Sequence, residues 1–273
     1  MLSFNNLGNL GRLANQMFQY AALKGIAKNR GFDFVLPPQS EFGKRDTNVR
    51  MDAGNSIYDV FGFFEKERFS NLKYELTTQN MCPERVHGFD NEMFDECPDN
   101  VDLFGYYQTP KYFENISDEI REDFTFSKEF DDIFSHVKHE YELTDDLISL
   151  HIRRGDYLNN PNHPVQPLEY YEKALDMLPK DINVVIFSDD PYWCIEQEAF
   201  KDDKYMISAD NAADFDLFFM TKCKYHIIAN SSFSWWGAWL ADSEHVIAPM
   251  DWFADSCAGK SVRDMTFGNW TWL

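Results

Sequence analysis

The chain has 273 residues and a formal net charge of −21, because 46 Asp and Glu outnumber 25 Lys and Arg. Such a charge repels nucleic acid and anionic membrane surfaces, so we expect neither as a partner. The five scattered cysteines contain no Cys-x-x-Cys pair, which argues against a disulfide framework and a zinc site. No apolar run approaches about 20 residues, the length that a membrane span needs. The N-terminus does not resemble a signal peptide, so we expect a cytoplasmic protein, with peripheral attachment to the inner membrane face left open.

The N-terminal segment reads as a loop, a helix and a strand. A glycine-bearing loop from Gly8 leads into a helix that we expect to end near Arg30, where Gly31 can stop it. Residues 32–36 alternate like a strand and are followed by two prolines.

The glycines of this loop do not match a dinucleotide-binding motif. Gly8, Gly11 and Ala14 are spaced Gly-x-x-Gly-x-x-Ala rather than Gly-x-Gly-x-x-Gly, which argues against a nicotinamide enzyme. Asn15 and Gln16 lie in the first helical turn beside the loop. Either they hydrogen-bond the loop or they contact a ligand.

Residues 38–145 show weaker periodicity and many Phe and acidic residues. We interpret residues 101–107 as extended, and Pro110 suits the first turn of a helix. A second helix start is predicted at Ser117 and a further, polar helix over residues 126–141. The charged residues 138–146 are expected to connect two halves of the chain.

Strand and helix patterns alternate in the second half, which predicts a mostly parallel sheet covered by helices. A capping box is predicted at Asn211–Asp214, followed by a core stripe of Phe215, Phe218 and Phe219. The predicted strands are residues 147–152, 183–187, 225–229 and 245–248, and the predicted helices include residues 168–178, 192–200 and 235–241.

Three of these strands end in polar clusters, which are Arg153–Asp156, Ser188–Asp190 and Asn230–Ser234. Parallel strands place their carboxyl ends along one edge, where α/β proteins bind ligands, so the clusters should meet. Guanidinium groups bind phosphate oxygens in a bidentate manner, and a helix N-terminus adds main-chain donors. We therefore expect a phosphate-bearing donor at this edge.

Several alternatives remain open for these residues. Arg153 and Arg154 could be a solvated surface pair, and Arg154–Asp156 spells an adhesion tripeptide that would need an exposed loop on an exported protein. Asp156 could simply pair with an arginine and hold the turn. Asp189 and Asp190 would repel phosphate; they either accept hydrogen bonds from guanine or cap the helix that starts at Pro191.

The tripeptide Asp214–Asp216 matches the Asp-x-Asp of metal-dependent sugar transferases in letters alone. In a helix, residues i and i+2 point apart, so we interpret it as a helix start. We expect no metal and no cofactor. The leaving diphosphate would then be neutralised by arginine and main-chain donors.

Five motifs follow one another along the chain: Gly11–Ala21, Leu103–Gln108 with Lys111–Phe113, His151–Tyr157, Phe187–Asp190 and Ala229–Gly237. In these motifs and in their order, the sequence resembles the alpha-1,2-fucosyltransferases, glycosyltransferase family 11. The resemblance implies an α/β, GT-B-like fold with two Rossmann-like domains facing across a cleft. We assign residues 1–143 to an N-terminal, acceptor-side domain and residues 144–273 to a C-terminal, GDP-fucose-binding domain, whose last helix would pack back on the first.

The resemblance also implies an activity and its partners. The enzyme would transfer L-fucose from GDP-β-L-fucose to the 2-hydroxyl of galactose in a glycan acceptor, with inversion at the anomeric carbon. The alternative is a non-catalytic protein of the same fold that binds a nucleotide sugar or a glycan.

By the same resemblance, roles fall on individual residues. Arg153 would contact the donor's β-phosphate, Arg154 and Asp156 would support it, and Asn15 would stand between donor and acceptor. His151 and the pair Asp189–Asp190 would lie near guanine. The three catalytic candidates are Arg153, Asn15 and Asp156. The GDP-fucose-binding candidates are His151, Arg153, Arg154, Ser188, Asp189, Asp190, Asn230, Ser231, Ser232, Phe233 and Ser234. The acceptor-side candidates are Asn15, Gln16, Tyr106 and Gln108.

One position departs from the family pattern, which usually has glycine where Ala14 stands. If that glycine serves a positive φ or a close ligand approach, the loop must differ here. Acceptor geometry would be affected more than donor binding.

Overall fold

The computed structural model describes residues 1–38, 64, 69, 71–209, 211–254, 257 and 262–273. The chain divides into two compact units. Unit 1 is Met1–Ser127 with Arg263–Thr266, and unit 2 is Lys128–Val262 with Phe267–Leu273. Parts of the predicted stretch 38–145 lie outside the described residues.

Unit 1 contains a parallel sheet in the order β2-β1-β4-β3. Its strands are β1 (Leu2–Ser3), β2 (Phe34–Val35), β3 (Asn80–Pro83) and β4 (Val101–Phe104). Its helices are α1 (Leu13–Arg30), α2 (Asn91–Glu96) and α3 (Ser117–Asp123), with 3₁₀ turns at Pro110–Tyr112 and Glu114–Ile116. The predicted helix after Pro110 is therefore a pair of short turns before α3.

Helix α1 forms the centre of unit 1, because 13 of its 18 residues are buried. It ends at Arg30, and Gly31 adopts a left-handed conformation with φ of 70°, which confirms the predicted stop. Gly25 lies within the helix against the main chain of Tyr112, where a Cβ atom would overlap the carbonyl oxygen.

Unit 2 contains a six-stranded parallel sheet in the order β10-β9-β8-β5-β6-β7. All six residues of β5 are buried, as expected for a central strand with both faces covered. The strands are β5 (Leu147–Ile152), β6 (Asn183–Ser188), β7 (Tyr205–Ser208), β8 (Tyr225–Ile227), β9 (His245–Ala248) and β10 (Thr271–Trp272). The helices are α4 (Glu129–Glu140), α5 (Leu168–Asp176), α6 (Pro191–Glu196), α7 (Ala213–Thr221) and α8 (Ser232–Leu240).

The predicted domain boundary and the expected last helix differ from this structure. Helix α4 belongs to unit 2, whereas the boundary predicted at residues 143/144 assigned it to the N-terminal domain. Residues 262–273 contain turns and β10 but no helix, so the expected last helix is not observed there.

The predicted capping box at Asn211–Asp214 is wrong. Helix α7 has Ala212 at its N-cap, which offers no side-chain cap, and the Asn211 Nδ2 donates to Ser208 Oγ instead (2.9 Å). The predicted stripe of Phe215, Phe218 and Phe219 is confirmed as core. Among the helices of the described residues, none has the length and apolarity that a membrane crossing requires.

We predict that Gly25→Ala destabilises the protein by about 1–3 kcal/mol, because overpacking against main chain leaves no side chain to rotate away. Helix propensity alone predicts the opposite sign, a gain of about 1 kcal/mol. Gly31→Ala is the matched control, since a Cβ there has no neighbour within 4 Å and only the positive φ opposes it. Urea unfolding should show the larger loss for Gly25→Ala; equal losses would contradict this packing argument.

Candidate active site

The three polar clusters of the C-terminal half meet along one edge of the unit 2 sheet. Strands β8, β5 and β6 are adjacent and parallel, with Ile152 opposite Ser188 and Leu150 opposite Ile227. The residues that follow these strands therefore emerge side by side, as the alternation of strands and helices predicted.

Arg153 is held between two carboxylates at the end of β5. Its Nη2 donates to Asp156 and its Nη1 forms an ion pair with Asp189 (3.0 Å). The guanidinium carbon lies 5.1 Å from the centre of the Tyr157 ring. The side chain is only 15% exposed, so its direction is set by three neighbours rather than by solvent.

Arg154 points to a different set of partners. Its Nε donates to Asp190 (3.1 Å), and its guanidinium carbon lies 3.9 Å from the centre of the Trp193 ring. Its main-chain N–H donates to Asp189 Oδ1 (2.9 Å). These contacts attach Arg154 to the start of α6 rather than leaving it in solvent, and its supporting role at the donor stays a prediction.

Asp189 and Asp190 are both engaged within the protein. Asp190 caps α6 by accepting from the Trp193 N–H (3.3 Å), and its own N–H donates to Ser188 Oγ (3.0 Å). A Cβ atom at Gly155 would overlap the Asp189 carboxylate, so glycine permits this close approach. The capping alternative is thus observed for Asp190, and guanine recognition by either carboxylate stays a prediction.

His151 connects β5 to the start of α8. Its Nδ1 shares a hydrogen bond with Ser234 Oγ (2.8 Å), and its ring lies 5.7 Å from that of Phe233. Burial, with a smaller contribution from the charge of Arg153, lowers the pKa of His151 to about 3. The imidazole is therefore neutral at physiological pH and serves as a buried link.

The turn before α8 uses most of its polar groups internally. Ser231 caps the helix by accepting from the Phe233 N–H (3.3 Å). Asn230 is buried and its Nδ2 donates to the carbonyl oxygens of Pro164 and Trp252. Tyr157 donates to the Asn230 carbonyl oxygen (3.1 Å), which joins this turn to the ring beneath Arg153.

The acceptor-side candidates lie at the carboxyl edge of the unit 1 sheet. Asn15 and Gln108 are in contact, with Gln108 Nε2 donating to Asn15 Oδ1 (2.7 Å). Gln16 is fully buried and donates to the Gly11 carbonyl oxygen (3.0 Å), so the loop-bonding alternative is observed for it. Tyr106 is 40% exposed.

Ala14 is accommodated without strain. It is the second residue of α1 and is buried, and it is absent from the residues with positive φ. The position therefore needs no glycine for backbone reasons in this chain. Gly11 has φ of 77°, and a Cβ there would lie 2.6 Å from Asn15 Nδ2, so Gly11 is the glycine that leaves room for Asn15.

The comparisons with known proteins bear on the same regions. The profile of Glycosyl transferase family 11 matches residues 74–273, which include all of the unit 2 site. The chain belongs to glycosyl transferase family 11.

Relatives of this family 11 protein align over almost its full length. An alpha-1,2-colitosyltransferase of Escherichia coli is 32% identical over 93% of this chain and 96% of its own. The O-antigen biosynthesis glycosyltransferase WbnK of the same species is 30% identical over 95% and 97%. The Bos taurus galactoside alpha-(1,2)-fucosyltransferase 2 is 26% identical over 87% of this chain and 69% of its own.

Solved structures confirm that the family 11 protein has an α/β, GT-B-like fold. POFUT1 in complex with GDP-fucose is 12% identical, with a TM-score of 0.55 over 90% of this chain and 96% of the other. The fucosyltransferase NodZ from Bradyrhizobium is also 12% identical, with a TM-score of 0.52 over 86% and 91%.

Sequence reasoning missed two residues that organise these edges. Trp193 lies in α6 and packs its ring against the Arg154 guanidinium. The sequence indicated this contact only by an aromatic residue shortly after Asp190. Gln19 is fully buried and donates to the carbonyl oxygens of Leu10 (2.9 Å) and Gly105 (3.1 Å). A polar residue on the buried face of a helix is the signal that could have found it.

Asp214 and Asp216 lie in the first turn of α7, as interpreted from the sequence. Asp216 accepts from Ser208 Oγ (2.6 Å), and burial raises its pKa from the usual 3.8 to about 7. Because this folded-state pKa is raised, the folded protein holds a proton that the unfolded chain has released between pH 3.8 and 7. The contribution of the Asp216 carboxyl group to the free energy of unfolding is therefore greatest below pH 3.8 and is lost as the pH rises through 7.

We predict that Asp216→Asn raises stability relative to the parent protein more at pH 8 than at pH 5, because the amide resembles the protonated acid at every pH. Thermal unfolding at the two pH values measures this. Asp214→Asn removes the same formal charge two residues away and is the matched control. A change that is the same at both pH values would contradict the assigned pKa.

Proposed function

We propose that this chain is an inverting, metal-independent fucosyltransferase that moves L-fucose from GDP-β-L-fucose to the 2-hydroxyl of a galactose residue, forming an alpha-1,2 linkage. The observation that carries the proposal is the position of Arg153, a nearly buried guanidinium at the carboxyl end of the central β5 strand. The activity of the bovine relative, a galactoside alpha-(1,2)-fucosyltransferase, supports the linkage and the acceptor. The GDP-fucose complex of POFUT1 supports the donor.

Donor binding would require an exchange of partners at Arg153. Two guanidinium groups face three carboxylates here, those of Asp156, Asp189 and Asp190, so the cluster carries one net negative charge without a ligand. Because a diphosphate would be repelled by these carboxylates, we expect one of them to give up its place at Arg153 when the donor binds. Asp156 is the more exposed of the two partners, 50% against 24% for Asp189, so solvent screens its ion pair more and it would be released more easily.

In the reaction, the bond between the fucose anomeric carbon and the diphosphate oxygen would break as the acceptor oxygen attacks from the opposite face. Arg153 would stabilise the negative charge that grows on the leaving GDP, which is electrostatic preorganisation. His151 is unsuited as general base, because its Nδ1 is engaged by Ser234 and its pKa is about 3. The acceptor proton would go to a carboxylate or to a phosphate oxygen of the donor.

A second donor is favoured by the colitosyltransferase relative. Colitose is L-fucose without the 3-hydroxyl group, so both sugars fit the same diphosphate site. A pocket that hydrogen-bonds the 3-hydroxyl rejects the deoxy sugar by about 10⁴-fold or more, whereas an apolar pocket discriminates only about 10–200-fold. The names of the two bacterial relatives support a bacterial oligosaccharide acceptor and a cytoplasmic place of action.

The direct test incubates the purified protein with lactose and either GDP-fucose or GDP-colitose. We expect fucosyl-lactose, with the alpha-1,2 linkage established by NMR. Product from GDP-colitose alone would replace the proposed donor. Tight binding of GDP without turnover for any galactoside would favour the non-catalytic alternative.

We predict that Arg153→Lys lowers kcat about 10²–10³-fold, the usual cost of removing one donor that stabilises an oxyanion. The ammonium keeps the charge but lacks the planar fork. Arg85→Lys is the matched control, because Arg85 also makes a bidentate pair, with Asp90 (2.8 and 2.7 Å), outside the proposed site. Near-parental turnover of Arg153→Lys would refute the role of Arg153.

A further inference from the structure

Glu84 lies where strands β3 and β4 end together in unit 1. It directly follows β3, and its N–H donates to the carbonyl oxygen of Phe104, the last residue of β4 (2.7 Å). Its carboxylate then turns to the segment that leaves β4, which we call the 105–108 turn (residues Gly105 to Gln108).

The carboxylate accepts two consecutive main-chain hydrogen bonds from this turn. Tyr106 N–H donates to Oε2 (2.8 Å) and Tyr107 N–H donates to Oε1 (3.1 Å). Hydrogen bonds to a charged acceptor are about twice as strong as those between neutral groups. Glu84 therefore holds the main chain on both sides of the Tyr106 side chain.

The turn adopts a backbone shape that needs such support. Tyr107 has φ of 51°, a left-handed conformation that costs a non-glycine residue about 1–2 kcal/mol. Gly105 has φ of 156°, and a Cβ atom there would overlap that of Glu84. The glycine thus allows Glu84 to approach, and the two hydrogen bonds offset the strain at Tyr107.

The shape of this turn determines where the acceptor-side candidates lie. Gln108 comes directly after Tyr107 and donates to Asn15. Gln19 ties the Gly105 carbonyl oxygen to the loop that precedes α1. A change in the turn would therefore move Gln108 away from Asn15 and reorient the exposed ring of Tyr106.

We propose that Glu84 is a positioning residue for the acceptor: it holds the 105–108 turn in the conformation that presents Tyr106, Gln108 and Asn15 to the galactoside. The inference rests on the proposed function for its substrate. Glu84 acts through the main chain of the turn, since both of its carboxylate oxygens already accept hydrogen bonds there.

The test is the variant Glu84→Gln, which has nearly the same shape but only one oxygen. One of the two main-chain N–H groups then faces an NH₂ donor instead of an acceptor. We expect the KM for lactose to rise about tenfold, whereas the KM for GDP-fucose and the Kd for GDP change less than twofold. Asp90→Asn is the matched control, because Asp90 is another carboxylate of unit 1 that accepts a main-chain hydrogen bond, from Met93 (3.0 Å), outside the turn.

Unchanged acceptor and donor constants in Glu84→Gln would overturn the proposal. The proposal would also be overturned if the KM for lactose and the KM for GDP-fucose rose by the same factor and Asp90→Asn gave the same result. Such a result would indicate a merely structural role. Absence of turnover in the parent protein with every donor would instead refute the proposed function.

Amide hydrogen exchange tests the hydrogen bonds of Glu84 independently of any activity measurement. The Tyr106 and Tyr107 amides should exchange at least about tenfold faster in Glu84→Gln than in the parent protein, while amides of α1 stay unchanged. Equal protection of both amides in the two proteins would overturn the proposal by itself.

Discussion

The ion pairs of Arg153 with Asp156 and Asp189 are the interaction on which the rest of the unit 2 site depends. A guanidinium that is 15% exposed must be paired, because an isolated buried charge is costly. The pairing in turn fixes the loop after β5 against the loop after β6. Tyr157 then links this loop to the turn before α8, because its hydroxyl donates a hydrogen bond to the Asn230 carbonyl oxygen.

Both units place their candidate residues by the same rule. In each, a parallel sheet brings the carboxyl ends of neighbouring strands together, and the loops that follow are tied to each other by side-chain hydrogen bonds. In unit 2 the connecting groups are charged, and they lie at the edge where we propose that the diphosphate binds. In unit 1 they are amides and one carboxylate, namely Asn15, Gln19, Gln108 and Glu84.

The sequence predicted four of the six strands of unit 2, because these four are apolar runs separated by helix signals of ordinary length, whereas β7 and β10 were not predicted. The convergence of Arg153, Ser188 and Asn230 follows from parallel strands alone. The boundary between the units was placed too late because helix α4 looks polar. Two of its apolar residues, Phe130 and Phe134, pack on the rings of α7, and this long-range contact has no local signal.

Some features of the site could not be predicted from the sequence, because one residue pattern serves two functions or because no local pattern exists. An aspartate before Pro191 can cap a helix or bind a base, and the structure shows the cap, through the hydrogen bond from Trp193, while base binding stays a prediction. Glu84 stands in a charged stretch of the sequence without a clear helix or strand pattern. Nothing near it in the sequence indicates that it accepts hydrogen bonds from a turn 22 residues away. Positive φ at Tyr107 is likewise invisible in sequence, since the usual signals of glycine and asparagine are missing there.

The proposed donor site requires that Arg153 exchanges a carboxylate for the donor's diphosphate. A crystal structure of the protein with GDP tests this exchange most directly. We predict the β-phosphate oxygens within hydrogen-bond distance of the Arg153 guanidinium, with Asp156 turned away and Asp189 still paired. A diphosphate bound elsewhere, with Arg153 keeping both carboxylates, would contradict the account.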